Sequence, residues 1–270
     1  MSARRTTRNE HSPAGRVRRP LDGYADLSAS PLHVLVFLAP LLLLYEIGSI
    51  LYLVDPSSGV VETIRARGIL ARFFEFFGVV GLFLPGAALV AVLIAWHLLK
   101  GDRWRIRPGV LAGMAMESIA WTLPLLVMGV VVRDAIVGAS MASMASAGAT
   151  GPLEALPWQA RLTIAVGAGL YEEMLFRLIL IAAADFVLVD LLGVSSRSGR
   201  MAALLISAVA FTFYHDLGLP GGGVDVFRLV FYMLAGLYFG WIYLSRGLGI
   251  VVAVHAFYDI LVLVLLRPHG

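Results

Sequence analysis

The sequence contains no cysteine and has few charged residues. Of its 270 residues, 14% are charged and 59% are hydrophobic, and the mean hydropathy is +0.85. The missing cysteine excludes disulfides, thiolate metal sites and a cysteine nucleophile. Soluble domains average about 25% charged residues, so this chain has too little polar surface for a water-soluble globule. We therefore expect a membrane protein whose partner is the lipid bilayer and not nucleic acid.

Two protease motifs are also missing. The sequence has no His-Glu-x-x-His, so a conventional zinc-protease helix with two histidines one turn apart is excluded. It has no Gly-x-Ser-Gly of the kind found in rhomboid proteases, which disfavours a serine intramembrane protease. Any hydrolytic chemistry must therefore rest on other polar residues.

Long apolar runs predict an all-α, polytopic membrane bundle of about seven to eight transmembrane helices, because each span needs roughly 20 mostly apolar residues. We predict a disordered basic tail at 1–24, N-terminal transmembrane helices over 31–133 and a second bundle over 158–266. Residues 60–74 alternate basic and apolar side chains at helical spacing, which predicts an amphipathic helix on the membrane surface. The candidate spans are 31–54, 76–99, 109–132, 158–184, 201–217, 226–245 and 248–266.

The placement of basic residues predicts the orientation, since Lys and Arg accumulate on the cytoplasmic side. With the N-terminus inside and seven spans, thirteen of the 21 Lys and Arg residues lie inside and seven lie outside. The remaining one, Arg177, falls within the membrane. We expect a multi-pass protein of the plasma (inner) membrane with a cytoplasmic N-terminus.

Three ionisable residues interrupt the apolar run LYEEMLFRL at 170–178. A charge at the bilayer centre costs about 2.5–3.5 kcal/mol on insertion scales, so such residues usually pair or line a polar cavity. Glu173 and Arg177 are four positions apart and share a helix face, which favours an ion pair. Glu172 is rotated by about 100° from Glu173, so its carboxylate remains available for chemistry.

Two later motifs add histidines on separate spans. The stretch FTFYH ends one span at His215, and HAFYD places His255 and Asp259 four positions apart on the last span. Together with Glu172, the two histidines form a Glu/His/His set on three helices. Such a set can hold a water molecule or a metal ion in the core of a bundle.

The order of these motifs resembles the CPBP family, the CAAX-processing and bacteriocin-processing proteases that are also called the abortive-infection family. EEMLFR, FTFYH and HAFYD match Glu-Glu-x-x-x-Arg, Phe-x-x-x-His and His-x-x-x-Asn/Asp on successive membrane helices. The resemblance covers 158–266. It implies an intramembrane endopeptidase that hydrolyses a peptide bond in a membrane-embedded or lipidated protein or peptide.

The resemblance also implies roles for individual residues. Glu172 corresponds to the residue that activates the attacking water, and His215 to its partner in holding that water. Glu173 and Arg177 correspond to a supporting pair, and His255 to the group that stabilises the oxyanion of the tetrahedral intermediate.

Asp259 departs from the family pattern, which often has Asn at this position. Asn can donate a hydrogen bond to an oxyanion, whereas an ionised Asp cannot. Asp259 must then orient His255, act in its protonated form or bind a metal. No cofactor is certain, and both a glutamate-type and a metal-dependent enzyme remain open. The possible ligands of a divalent metal such as zinc are Glu172, His215, His255 and Asp259.

Two other functions compete with the protease. Intramembrane Glu46 and Glu117 suit an ion-coupled transporter, because buried carboxylates relay protons or bind cations. Each can instead be satisfied by a neighbouring Ser or Trp side chain, with Ser49 and Ser118 as candidates. Broken helices at matching positions in the two halves would favour a transporter, and the sequence shows none. A catalytically inactive membrane scaffold is the third possibility, and nothing in the sequence selects the substrate.

Overall fold

Helices dominate the structure, a computed structural model that describes residues 23–54, 64–81, 83–137, 156–219 and 221–266. These residues contain no β-strand, and the predicted all-α membrane bundle is confirmed. The helices are α1 (Tyr24–Ser28), α2 (Pro31–Tyr52), α3 (Arg65–Phe76), α4 (Leu84–Lys100), α5 (Pro108–Val137), α6 (Trp158–Glu173), α7 (Ala182–Asp185), α8 (Ser196–Tyr214), α9 (Val226–Arg246) and α10 (Leu248–Ile260).

Four helical segments among the described residues are long and apolar enough to cross a membrane. Helix α4 is equally apolar in character but has only 17 residues. The membrane class therefore agrees with the sequence, while the count of seven or eight spans stays a prediction. The four segments are Pro31–Tyr52, Pro108–Ile136, Val226–Arg246 and Leu248–Leu265.

Some predicted boundaries differ from the helices. The predicted span 76–99 begins at the end of α3, and a turn at Gly78, with φ of +76°, separates α3 from α4. The apolar residues on both sides of this turn hid the break. The predicted tail lies outside the described residues up to position 22, and its last residue, Tyr24, begins α1. Positions 60–63 of the predicted amphipathic helix also lie outside them.

Helix α6 continues without interruption beyond the Glu172–Glu173 pair. It widens to π-helical geometry over Met174–Ile181, returns to α-helix in α7 and widens again over Phe186–Leu191. The helix thus continues beyond the fourth predicted span, 158–184, as far as Leu191. Wide turns of this kind often accompany functional sites, and Arg177 lies within the first of them.

Helix α10 is the most deeply buried element, and every residue from Leu248 to Ala256 is buried. It packs directly on α6 at Gly169. A Cβ atom at Gly169 would lie 2.8 Å from the Val252 carbonyl oxygen and 2.8 Å from the Ala256 amide nitrogen. Small residues allow such close packing of helices in membranes. The contact brings the end of α6 to the middle of α10, where His255 lies.

Two glycines bring α8, α9 and α10 together. Gly247 separates α9 from α10 with φ of +87°, a conformation that glycine adopts without strain, so the two helices form a hairpin. Gly236 of α9 packs on α8, where a Cβ atom would lie 3.0 Å from the Cα atom of Ala208. The end of α8, which carries His215, is thereby held against α9 and α10.

Candidate active site

Glu172 lies between the two histidines of the predicted site. Its Oε2 atom is 3.7 Å from His215 Nε2 and 4.0 Å from His255 Nε2. These distances exceed a direct hydrogen bond, and a separation of this size suits a bridging water molecule. Glu172 is buried, and Oε2 has no hydrogen-bond partner among the described residues. This oxygen is therefore available to a reactant.

Glu173 has two polar partners and is fully buried. Its Oε1 atom lies 2.7 Å from His255 Nδ1 and 3.1 Å from Arg177 Nη1. The Arg177 guanidinium also lies 4.3 Å from the centroid of the Phe211 ring and 5.3 Å from that of Phe239. Aromatic faces stabilise a cation, so Arg177 is compensated by one carboxylate and two rings. Glu173 is consequently a structural partner, in contrast to Glu172.

His215 caps the end of α8 with an extended backbone. Its Nδ1 atom lies 2.8 Å from the Phe211 carbonyl oxygen, which can only accept a hydrogen bond. Nδ1 therefore carries the proton, and Nε2 of the neutral ring presents a lone pair toward Glu172. The imidazole stacks on Tyr232, with ring centroids 3.9 Å apart and an interplanar angle of 20°. This packing fixes the direction of Nε2.

His255 is oriented by Glu173 and by an aromatic ring. Nδ1 donates to Glu173, and the imidazole stacks on Phe239 with centroids 4.6 Å apart. The other nitrogen, Nε2, lies 3.5 Å from Asp259 Oδ2 one helical turn along α10. One role that the sequence left open for Asp259 was to orient the His255 ring. Glu173 mainly performs that role. Asp259 Oδ2 and Glu172 Oε2 both lie near the Nε2 atom of His255, at 3.5 Å and 4.0 Å.

All six side chains that the sequence singled out lie within this one cluster, and their catalytic roles stay predictions. Sequence reasoning missed three residues of the site. Tyr214 is part of the FTFYH motif and adjoins His215, so the motif itself contained a signal. Tyr232 and Phe239 are recognised only after α9 is packed on the cluster, and no sequence pattern indicated them.

The side chains of the described residues do not form a set of three His, Asp or Glu groups arranged around a metal ion. Nδ1 of each histidine is engaged, by Phe211 for His215 and by Glu173 for His255. Only the two Nε2 atoms and nearby carboxylate oxygens remain as atoms that could coordinate a metal ion. A histidine that binds a metal commonly has its other ring nitrogen hydrogen-bonded in this way, so these contacts suit a held water molecule and a metal ion alike. The possible metal stays a prediction.

Glu117, in the first third of α5, forms an ion pair with Arg246 at the end of α9. Its oxygens accept hydrogen bonds from Arg246 Nε at 2.5 Å and Nη2 at 2.9 Å, and from the Tyr24 hydroxyl at 2.6 Å. Trp121 Nε1 donates to it at 3.2 Å, so the expected Trp partner is present. Burial and the adjacent carboxylate raise the pKa of the Tyr24 phenol to about 12. The Glu117 carboxylate therefore has several hydrogen-bond partners and links α1, α5 and α9.

Glu46 is paired as well. The Tyr171 hydroxyl donates to its Oε1 at 2.5 Å, and Arg67 Nη2 lies 3.4 Å from its Oε2. The proposed serine partners were wrong, because Ser49 donates to the Glu46 backbone carbonyl and Ser118 donates to that of Met114. A serine hydroxyl on a helix reaches the preceding turn more easily than a neighbouring side chain.

Comparison with protein families finds a match over part of the chain. Residues 154–261 match the family model described as type II CAAX prenyl endopeptidase, Rce1-like. This region contains Glu172, His215, His255 and Asp259 together with the Glu173–Arg177 pair, and the suspected resemblance is thereby confirmed. No curated protein and no solved structure matched the chain.

Proposed function

We propose that the chain is an intramembrane protease for prenylated, membrane-associated proteins or peptides, on the basis of the match of residues 154–261 to the Rce1-like type II CAAX prenyl endopeptidase model. The observation that carries the proposal is the position of Glu172. Its unpaired Oε2 lies 3.7 Å and 4.0 Å from the Nε2 atoms of His215 and His255, on three different helices.

Hydrolysis begins with a water molecule between Glu172 and His215. The Nε2 lone pair of His215 accepts one water hydrogen, and the Glu172 carboxylate removes the other proton as the water oxygen attacks the peptide carbonyl carbon. A new C–O bond forms, and the carbonyl oxygen becomes an oxyanion. General-base assistance of this kind contributes about 10²–10⁴-fold to the rate.

The oxyanion is stabilised from the side of His255. Nδ1 of this ring is fixed by Glu173, so an Nε2–H group is presented on the side of Glu172 and Asp259 when the ring carries both protons. Asp259 supplies a second donor if it is protonated. A preorganised donor lowers the barrier by about 2.7–4 kcal/mol. Collapse of the intermediate breaks the C–N bond, and Glu172 returns its proton to the leaving amine nitrogen.

The environment supports this chemistry. Glu172, Glu173 and Arg177 are all buried, and the Phe211 and Phe239 rings surround the charged groups. A site that excludes bulk water strengthens the electrostatic interactions on which the transition state depends. The same apolar surroundings suit a substrate that carries a lipid chain.

We also propose that the protein lies in the plasma (inner) membrane with its N-terminus in the cytoplasm. The excess of basic residues on the predicted inner side supports this orientation. Because the chain has no cysteine, a single introduced thiol reports its own side. A membrane-impermeant maleimide added to intact cells should label Gly221→Cys and not Arg103→Cys. The reverse pattern would reject the orientation.

The function is tested with purified protein in liposomes. A peptide that ends in a CAAX sequence is supplied with a farnesyl group on its cysteine or without one, and products are identified by mass spectrometry. We expect cleavage of the farnesylated peptide, weak or no cleavage of the unmodified peptide and no cleavage by Glu172→Gln. An intact farnesylated peptide after long incubation with folded protein would refute the prenyl-substrate proposal.

A further inference from the structure

Helix α3 lies outside the family-matched region, yet it contacts two of the helices that carry the candidate site. We infer that its first turn positions Glu172 and His215 through two phenols, those of Tyr214 and Tyr171. The kinetic part of this inference rests on the proposed function. Under this inference, the N-terminal half of the chain contributes to the geometry of the site through α3.

The first connection passes through Tyr214. The Ala66 backbone N–H donates to the Tyr214 hydroxyl oxygen at 2.8 Å, and Arg65 Nη1 donates to the Tyr214 carbonyl oxygen. The Arg65 guanidinium also lies 5.2 Å from the centroid of the Tyr214 ring. Three contacts from one turn of α3 therefore hold the residue next to His215.

The Tyr214 ring also contacts the histidine that follows it. The two rings meet edge-on, with centroids 5.2 Å apart. Tyr214 thereby links the backbone of α3 to the position of His215, whose Nε2 atom lies 3.7 Å from Glu172 Oε2. Phe176 packs edge-on against the Tyr214 ring, with centroids 5.2 Å apart, and limits its movement.

The second connection reaches α6 just before Glu172. Arg67, which is 2% exposed, pairs with Glu46 of α2 at 3.4 Å, and Glu46 accepts the Tyr171 hydroxyl at 2.5 Å. Tyr171 also packs edge-on against Tyr45, with ring centroids 5.0 Å apart. This polar chain joins α3, α2 and α6, and explains why Glu46 lies inside the bundle.

The two connections both affect the distance between Glu172 and His215. One fixes the backbone just before Glu172, and the other fixes the residue just before His215. A water molecule must contact both side chains across their 3.7 Å separation. Misplacement of reacting groups by about 1 Å can cost about 10²-fold in rate, so anchoring by α3 is expected to affect turnover more than binding.

The kinetic test compares two phenol deletions in liposomes with the farnesylated CAAX peptide. Tyr214→Phe should lower kcat about tenfold with little change in KM, because the Ala66 N–H then loses its bond to the residue that holds His215, and misplaced reacting groups slow turnover. Tyr238→Phe is the matched control. The Tyr238 hydroxyl donates to the Trp121 carbonyl oxygen at 2.7 Å, and this bond is not part of the Glu172 cluster. Equal kcat in the two variants would overturn the inference.

A second variant avoids the risk that the first one misfolds. Arg65 is exposed, so its replacement should leave the fold intact. Arg65→Ala should lower kcat several-fold, and Arg65→Lys should restore much of the loss because lysine can still donate to the Tyr214 carbonyl oxygen. An Arg65→Ala enzyme with wild-type kcat would argue against anchoring by α3.

A third measurement does not depend on activity. Thermal unfolding is recorded for Tyr214→Phe, His215→Gln and the double variant, because a double-mutant cycle isolates the interaction between two residues. Non-additive shifts in melting temperature support the positioning role, and strictly additive shifts overturn it. If the wild-type protein cleaves no farnesylated peptide, the proposed function fails, and this cycle still decides whether Tyr214 and His215 are coupled.

Discussion

The Glu173 carboxylate and the His255 imidazole are joined by a hydrogen bond of 2.7 Å between residues 82 positions apart in the chain. The same carboxylate oxygen lies 3.1 Å from Arg177 Nη1. Glu173 therefore balances a buried cation and fixes a histidine through Oε1. The Oε2 atoms of both glutamates lack a hydrogen-bond partner among the described residues, but that of Glu172 lies near the Nε2 atoms of His215 and His255. This division of labour between adjacent glutamates leads to the first prediction.

Glu172→Gln should abolish cleavage and leave the folded state nearly as stable as the wild type, because Glu172 has no charged partner at hydrogen-bond distance. Glu173→Gln should also reduce stability, since Arg177 then becomes a buried charge without its counter-ion, at a cost of about 3–5 kcal/mol. Activity and thermal unfolding in detergent check both variants. Equal stability of the two would contradict the assignment.

Asp259→Asn distinguishes a glutamate-type enzyme from a metal-dependent one. Without a metal, the substitution should be tolerated or should raise kcat, because Asn supplies a hydrogen-bond donor near His255 Nε2. Incubation with a strong chelator should leave the wild-type rate unchanged. Activity is measured before the chelator is added and again after the treated protein has been dialysed. Loss of activity on chelation, with recovery by one particular divalent metal, would instead establish a metal enzyme.

Gly169→Ala should separate α6 from α10. The added Cβ atom would lie 2.8 Å from backbone atoms of Val252 and Ala256, which cannot move aside as a flexible side chain does. We expect a lower melting temperature and a loss of activity, because Glu172 moves relative to His255. Gly109→Ala is the control, since a Cβ atom there meets no atom within 4 Å. Similar behaviour of both variants would show that the close contact is unimportant.

Glu117→Gln tests whether this carboxylate has a transport function. It should weaken the link to Arg246 and Tyr24 and lower stability by about 1.5–3 kcal/mol, the range for hydrogen bonds to charged groups. Peptide cleavage by the remaining folded protein should be unchanged. Proton flux into liposomes is measured in parallel and should stay at the background of protein-free vesicles. Flux that depends on Glu117 would favour the transporter.

Much of the candidate site could be predicted from sequence because its rules are local. The four-residue spacing of Glu173 and Arg177, and that of His255 and Asp259, fixes a shared helix face regardless of the fold. The cost of placing charges in hydrocarbon then requires the separate helices to bring these groups together. The membrane class follows from composition alone, and the helices of the second bundle lie close to their predicted positions.

The remaining features depend on how helices cross. The hydrogen bond from His255 to Glu173 requires the approach of α10 to α6 at Gly169, and no spacing in the sequence encodes it. The contacts of Ala66 with Tyr214 join residues 148 positions apart. The break at Gly78 was missed for a different reason, since uniform hydrophobicity on both sides removes the periodicity that marks a helix end.

The central claim is that Glu172 activates the attacking water, and the single-turnover rate of peptide cleavage tests it most directly. Excess wild-type, Glu172→Gln or Glu117→Gln protein in liposomes is mixed with the farnesylated CAAX peptide, and product formation is followed by mass spectrometry. We predict that Glu172→Gln is slower by about 10²–10⁴-fold or more, while Glu117→Gln matches the wild type. Cleavage by Glu172→Gln at the rate of Glu117→Gln would contradict the account.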